Sequence, residues 1–258
     1  MNIMVMAGTK DAANIIKRLS SAKKFNILAT TTTSYGADIA KAAGADKVIS
    51  KGLTLEELVE VIKTNDINIL IDATHPFAAI ATHNAIKSSK ITEIKYLRFE
   101  RPEENFKENH LIHEVSSFEE AALKAEELTK GKVMHLAGVS TLKPVIEKID
   151  SSKLFARILP SVDSIQKCID IGLKQENIIA MQGVFSKKFN KILFEEYNIS
   201  LIITKESGET GGTLSKISAA VELGLDVILV TRQKVAELGN KDIFTDLDEI
   251  IDFMLKIT

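Results

Sequence analysis

The sequence predicts an α/β protein made of two similar Rossmann-like domains, each a parallel sheet of about five strands flanked by helices. Two observations carry this expectation. Short apolar runs that stop abruptly at small and polar residues alternate with segments of helical periodicity, which is how strands covered on both faces and their crossover helices read. The pattern then starts again near Gly131. Met4-Val5-Met6-Ala7-Gly8 answers to Met134-His135-Leu136-Ala137-Gly138, Phe25 to Thr30 answers to Phe155 to Pro160, and Gly44 answers to Gly172. Lys51-Gly52 matches Gln182-Gly183, Ile67 to Asp72 matches Ile199 to Thr204, Tyr96-Leu97-Arg98 matches Val230-Thr231-Arg232, and Ser117 to Glu120 matches Thr245 to Asp248. The offset stays between about 128 and 134 residues. The expected domains are 1–130 and 131–258, each sheet in the order 3-2-1-4-5.

Taken in order, Asn2 to Met6 is an apolar run ending in Ala7-Gly8-Thr9, and Ala12, Ile15, Ile16 and Leu19 then recur at helical spacing. Strand, tight turn and helix follow. Phe25 to Ala29 is a second strand, ending in the hydroxyl-rich run Thr30-Thr31-Thr32-Thr33-Ser34-Tyr35-Gly36. Gly44 closes a short helix, Lys47 to Ile49 is a brief strand, and Thr54 with Glu57 forms a capping box opening the helix Leu55 to Lys63. Ile67 to Ile71 is the central strand, with no alternation beyond Asn68. Pro76 suits a first helical turn, and Ala78 to Lys87 continues at helical spacing. Ile94 to Phe99 leads into Glu100-Arg101-Pro102, and after a polar link Ser117 with Glu120 caps the helix Phe118 to Leu128. In the second half the apolar strand Leu201-Ile202-Ile203 ends in Thr204-Lys205-Glu206-Ser207-Gly208. Thr213 is expected to N-cap the next helix, with Lys216 in its first turn. The pattern leaves open which domain the last helix of either half packs on.

The 258 residues are 45% apolar and 26% charged, with a formal net charge of −2. A near-neutral chain without a basic patch is not expected to bind nucleic acid or an anionic membrane. The single cysteine, Cys168, excludes an internal disulfide framework and a thiolate metal cluster, so no metal site is expected. His110 and His113 read as an exposed pair in a polar link, and Glu103-Glu104 and Glu126-Glu127 as solvated faces. The opening Met-Asn-Ile-Met-Val-Met-Ala-Gly lacks a basic segment and long apolar core, so a cytoplasmic location is expected. No apolar run approaches the roughly 18 residues that span a bilayer.

The chemistry should lie at the carboxyl ends of the strands, where open α/β sheets bind ligands. Thr74 and His75 sit in the turn after the central strand. Gly8 permits close backbone approach, and the helix behind it offers unpaired N–H groups to a phosphate, although the turn carries only part of a G-x-G-x-x-G fingerprint. There are five arginines against 28 lysines, and four of them, Arg98, Arg101, Arg157 and Arg232, lie at or near expected strand ends. Arginine grips carboxylates and phosphates in a bidentate manner, so this placement suggests a polyanionic ligand. Surface ion pairing is the plainer alternative. Gly208, Gly211 and Gly212 give a second loop whose backbone can approach a ligand, beside Lys205.

Asp72-Ala73-Thr74-His75-Pro76-Phe77-Ala78, then Leu97-Arg98-Phe99-Glu100-Arg101-Pro102, then Thr204-Lys205-Glu206-Ser207-Gly208 with Gly211-Gly212 and Lys216, resemble the precorrin-6A reductases of cobalamin biosynthesis. The resemblance covers essentially the whole chain. It implies hydride transfer from NADH or NADPH, without a flavin, to a double bond of the precorrin-6A macrocycle or its cobalt complex, in an active-site cleft between the two domains. On this basis the nucleotide is expected at Gly8, Thr9, Thr31, Thr32, Ser34, Thr74 and His75, and the carboxylate-bearing macrocycle at Arg98, Arg101, Lys205, Ser207, Gly208, Lys216 and Arg232. Lys205 and His75 are the expected proton donors, with bound water as the alternative. Transient contact with neighbouring enzymes of the pathway is a further expectation. Ala7 stands where many members have the first glycine of Gly-Gly-Thr, and Tyr35-Gly36 stands where some NADPH-using members have an arginine, which leans toward NADH. Ala137-Gly138-Val139-Ser140 departs from the Thr-Thr-Gly often seen at that turn.

Two other classes compete. A non-catalytic dinucleotide sensor would explain paired Rossmann-like domains but has no need of a second polyanion site. A two-domain binding protein that closes on its ligand without chemistry would usually carry a signal peptide.

Overall fold

The computed structural model describes residues 1–102, 106, 109–208, 211–232 and 243–257. In order they form β1 (Asn2–Met6), α1 (Lys10–Ser21), β2 (Asn26–Thr31), α2 (Ser34–Ala42), β3 (Lys47–Ser50), α3 (Leu55–Thr64), β4 (Ile69–Asp72), α4 (Ala79–Thr92) and β5 (Lys95–Phe99). There follow β6 (Ile112–Val115), α5 (Phe118–Leu128), β7 (Lys132–His135), α6 (Lys143–Ile146), β8 (Leu154–Ile158), α7 (Val162–Asp170), β9 (Ile178–Ala180) and α8 (Lys187–Glu196). The chain ends with β10 (Ile199–Lys205), α9 (Thr213–Glu222), β11 (Asp226–Val230), β12 (Ile243–Phe244) and α10 (Leu247–Lys256).

Two parallel sheets result, β12-β5-β4-β1-β2-β3 and β6-β11-β10-β7-β8-β9. The expected order of five strands is present in each, with a sixth added at the edge. That sixth strand corrects the domain boundary. The compact units are Met1–Pro102 with Gln233–Thr258, and Glu103–Arg232, instead of 1–130 and 131–258. The physical reason is an exchange of the last strand and helix. Ile112–Val115 pairs with Val227–Val230 of β11, whereas Ile243-Phe244 pairs with Arg98-Phe99 of β5. Each half of the repeat therefore gives its closing strand and helix to the sheet of the other.

In the first unit Ile3, Val5, Ile69 and Ile71 form a core with Ile15, Ile16 and Leu19 of α1 and with Ile250, Ile251 and Met254 of α10. Fully burying such a side chain contributes about 1.5–3 kcal/mol, so α10 is held to this sheet by its apolar face. Arg18 of α1 also meets Asp248 of α10 at 2.6 Å, in an exposed pair of little weight. The capping box on α3 forms as expected, with both reciprocal bonds between Thr54 and Glu57. The helix after the central strand starts at Ala79 and has no side-chain cap, because residues 75–78 close a separate turn in which Ala78 N–H donates to the His75 carbonyl.

In the second unit Met134, Phe155, Ile202, Val227 and Leu229 pack against Phe194 of α8 and Ile217 of α9. Cys168 is buried on α7, as a small apolar filler. Gly212, at φ 71°, occupies the cap position of α9 that was expected for Thr213. Thr213 has moved one place into the helix because its hydroxyl is engaged elsewhere, accepting from Ser207 N–H and donating to the Lys205 carbonyl. Among the described residues no helix is long and apolar enough to cross a membrane. Glu103-Glu104, Glu209 and Thr210 lie outside the described residues.

Candidate functional site

In the first unit the turns after β1 and β4 are fastened to each other. Thr9 caps α1 by accepting from Ala12 N–H at 3.0 Å, and its hydroxyl donates to the Ala73 carbonyl at 2.9 Å. Gly8 sits at φ 111°, a region open to glycine, and no atom lies within 4 Å of where a Cβ would stand. The backbone there is open to close approach, directly in front of the N-terminus of a 12-residue helix, where Thr9 caps the N–H of Ala12.

The strand that ends at Asp72 carries an almost sealed polar network. Asp72 is fully buried and meets Arg98 Nη1 at 2.8 Å, while Arg98 itself is 2% exposed. Register explains the pairing, because Asp72 on β4 lies beside Arg98 on β5. Asp72 also accepts from Thr74 N–H and the Thr74 hydroxyl, and from the Tyr96 hydroxyl at 3.0 Å. Burial and the neighbouring carboxylate push the Tyr96 phenol far up, so it remains a donor. His75 Nδ1 accepts from Phe77 N–H at 3.2 Å, which places the ring hydrogen on Nε2. Arg101 Nε meets Asp11, in the first turn of α1, at 2.5 Å. Asp11 and Arg101 line a small cavity with Ala73, Thr74, Pro76 and Phe99.

These contacts give Arg98 partners within its own unit. A guanidinium buried against Asp72 and bonded to the Thr74 hydroxyl at 3.1 Å braces the Thr74–His75 turn. Asp72, Tyr96 and Asp11 escaped the sequence reading. The signal that marks the first is an acid at a strand end in register with an arginine on the next strand. Of the hydroxyls expected at the nucleotide, Thr32 and Ser34 are exposed, whereas Thr31 is buried and donates to the Thr33 carbonyl. His113 is drawn onto β6 and meets Asp226 of β11 at 3.0 Å, rather than lying in a link.

In the second unit the turn after β7 differs in kind. Gly138 is again at positive φ, but behind it stand one tight turn, Val139–Thr141, and the four-residue α6, so no long helix faces a ligand. His135 is buried there, and desolvation holds its pKa down at about 4; Nε2 lies near the Gly138 carbonyl and the Thr141 hydroxyl. The polar groups instead gather at β8, β10 and α9. Arg232 and Glu206 form a buried pair. Ser207 is buried and shares a hydrogen bond with Thr213, and Gly208 at φ 71° turns the loop. Lys216 is 7% exposed, and burial with the charges of Arg157 and Lys205 lowers its pKa to about 7. Burial also lowers Lys205. Arg157, at the end of β8, donates to Asn190 at 2.8 Å and lies 5.1 Å over the Phe185 ring. Lys205, Lys216 and Arg157 are thus brought together within this unit. In the sequence Arg157 stands out only as a strand-end arginine. Among the described residues no group of three or more His, Cys, Asp or Glu could hold a metal ion.

The family model described as precorrin-6x reductase CbiJ/CobK matches residues 2–255. A cobalt-precorrin-6A reductase of Methanothermobacter thermautotrophicus is 46% identical over 259 residues, covering 100% of this chain and 84% of that protein. Another of that name, from Priestia megaterium, is 36% identical over 259 residues and covers 99% of both. The solved structure of CobK precorrin-6A reductase matches with a TM-score of 0.78 at 21% identity, over 99% of this chain and 97% of that one, a likeness of fold.

Proposed function

The chain belongs to the precorrin-6x reductase family, and on that premise we propose that it reduces a double bond of the precorrin-6A macrocycle, in its cobalt form, to the 6B level in cobalamin biosynthesis. The single observation that carries this reading is the family match over residues 2–255. The relatives at 46% and 36% identity bear the cobalt compound in their names, which supports the cobalt form over the metal-free one. Those reductase names also set aside a non-catalytic sensor.

A reduced nicotinamide nucleotide supplies the hydride when bound. The residues present fit such a group: the backbone at Gly8 is open, and the helix behind it presents N–H groups. Gly8 and the first turn of α1 hold the pyrophosphate, with Asp11 already neutralised by Arg101. Thr32 and Ser34 lie exposed for ribose contacts, and His75 donates from Nε2 to the nucleotide. Thr9 and Thr74 keep the two turns in register through the Ala73 carbonyl and Asp72. No arginine follows β2 to grip a 2′-phosphate, which favours NADH.

In the second unit Lys205 and Lys216 meet carboxylates of the macrocycle. Lys205 delivers the proton that must accompany the hydride, since its depressed pKa makes its ammonium a better acid than an ordinary lysine. Ser207, Gly208 and the Arg232–Glu206 pair fix the loop that presents it. The test is oxidation of NADH and of NADPH on addition of cobalt-precorrin-6A or precorrin-6A. Substrate-dependent oxidation, faster with NADH and the cobalt form, is expected. Nucleotide binding with no turnover on either macrocycle would overturn the reading.

A further inference from the structure

We propose that Arg157 and Lys216, with Lys205 beside them, form one carboxylate-binding site in the second unit, in which the bound anion supplies the opposite charge that Lys216 lacks. For the source of the carboxylate, an acid arm of the macrocycle, the inference rests on the reading above; the site itself does not.

Three strands of observation meet here. Lys216 lies in the first turn of a ten-residue helix whose cap, Gly212, offers no side chain to the helix N–H groups. It is 93% buried by the complement of its 7% exposure, and no carboxylate pairs with it among the described residues. A buried ammonium without an opposite charge is expensive, and at the positive end of a helix it is more so. Arg157 compounds the cost. Its guanidinium is occupied on one edge by the Asn190 side-chain carbonyl and on its face by Phe185, and it has no carboxylate partner among the described residues either. Asn190 is in turn fixed by the Phe185 and Ser186 carbonyls, so Arg157 is held in place and not swept about by solvent. A site with this much uncompensated positive charge, built on strand ends and a helix start, is arranged for an anion it does not itself supply.

The charges that face Lys216 come from each element packed around α9. Arg157 from β8 and Lys205 from β10 both disfavour its ammonium. In the described part of the loop between β10 and α9 the acid is Glu206, which Arg232 already holds. On α8, Lys187 and Lys191 are taken by Glu222 at the far end of α9. At neutral pH much of Lys216 is therefore neutral, and a bound carboxylate restores its charge. With its pKa lowered to about 7, a larger share of the side chain is unprotonated at a pH of about 7.5 than at about 6, so binding takes up more protons at the higher pH.

The experiment is calorimetric titration of the full chain with propane-1,2,3-tricarboxylate in two buffers of different ionisation enthalpy, at both pH values, with Lys216→Met and Arg157→Gln alongside. Proton uptake that is larger at the higher pH and absent in Lys216→Met, with binding weakened at least tenfold in Arg157→Gln, is expected. No binding by the wild-type chain, uptake unchanged in Lys216→Met, or uptake driven by NADH but not by the tricarboxylate would overturn the proposal. Folding of the variant is read separately. Because Lys216 has a lower pKa folded than its ordinary 10.5, the unfolded chain binds an extra proton between about 7 and 10.5, so wild-type stability rises with pH across that window. Lys216→Met should flatten that rise. Proton-coupled tricarboxylate binding in a chain that turns over neither macrocycle would leave the site standing and remove only the assignment of its ligand.

Discussion

The carboxyl ends of β4 and β10 are equivalent places in the two halves of the repeat, yet they hold charge in opposite ways. At β4 each arginine has an acid: Arg98 is closed on Asp72 and Arg101 on Asp11. At β10 the pair Arg232–Glu206 preserves that arrangement, but Arg157 and Lys216 have been added with no carboxylate among the described residues. The turns differ in the same sense. Gly8 opens onto a 12-residue helix, whereas Gly138 leads into a single tight turn and a four-residue helix. One repeat has an open glycine turn before a long helix and balances its charges; the other has no long helix there and gathers cations. On the proposed reading, the two copies divide two ligands by where charge is left uncompensated.

The largest effect that this contrast predicts is on stability in the first unit. Asp72→Ala should cost about 3–5 kcal/mol in urea denaturation, because it strands Arg98 in a site 2% exposed. A loss below about 1 kcal/mol would mean that the β4 network is not the closed brace described here. The second effect is on nucleotide affinity. Gly8→Val forces a branched residue to φ 111°, at a cost of roughly 1–3 kcal/mol, and fills the space in front of α1. NADH affinity should fall by about tenfold or more, with the tricarboxylate unaffected. A matching loss in Gly138→Val would erase the distinction between the two turns. The smallest effect is at the edge of the first unit, where Arg18→Ala should shift stability by less than about 1 kcal/mol, because its pair with Asp248 is exposed and α10 is held by Ile250, Ile251 and Met254.

Much of this was legible in the sequence, and the parts that were not share a cause. Strand runs, the Thr54–Glu57 box and the helix Phe118–Leu128 follow from local pattern, and the sheet order follows from the parallel repeat. The exchange of β6-α5 for β12-α10 does not. A repeat tells which segments are alike, but Ser117 to Glu120 and Thr245 to Asp248 are alike whichever sheet edge each joins. Among site residues, the type and place of Arg98 were visible while its partner was not, since Asp72 reaches it only across two paired strands. Lys216 was visible in a first helical turn, but its burial beside Arg157 depends on three elements meeting. The sequence holds no period that records such a meeting.

The most direct test of the division of labour is amide hydrogen exchange of the full chain, alone, with NADH, and with propane-1,2,3-tricarboxylate. Protection by NADH at Gly8 to Ala12, and by the tricarboxylate at Thr213 to Lys216, is the predicted result. Protection of the same turn by both ligands, in either unit, would contradict the account.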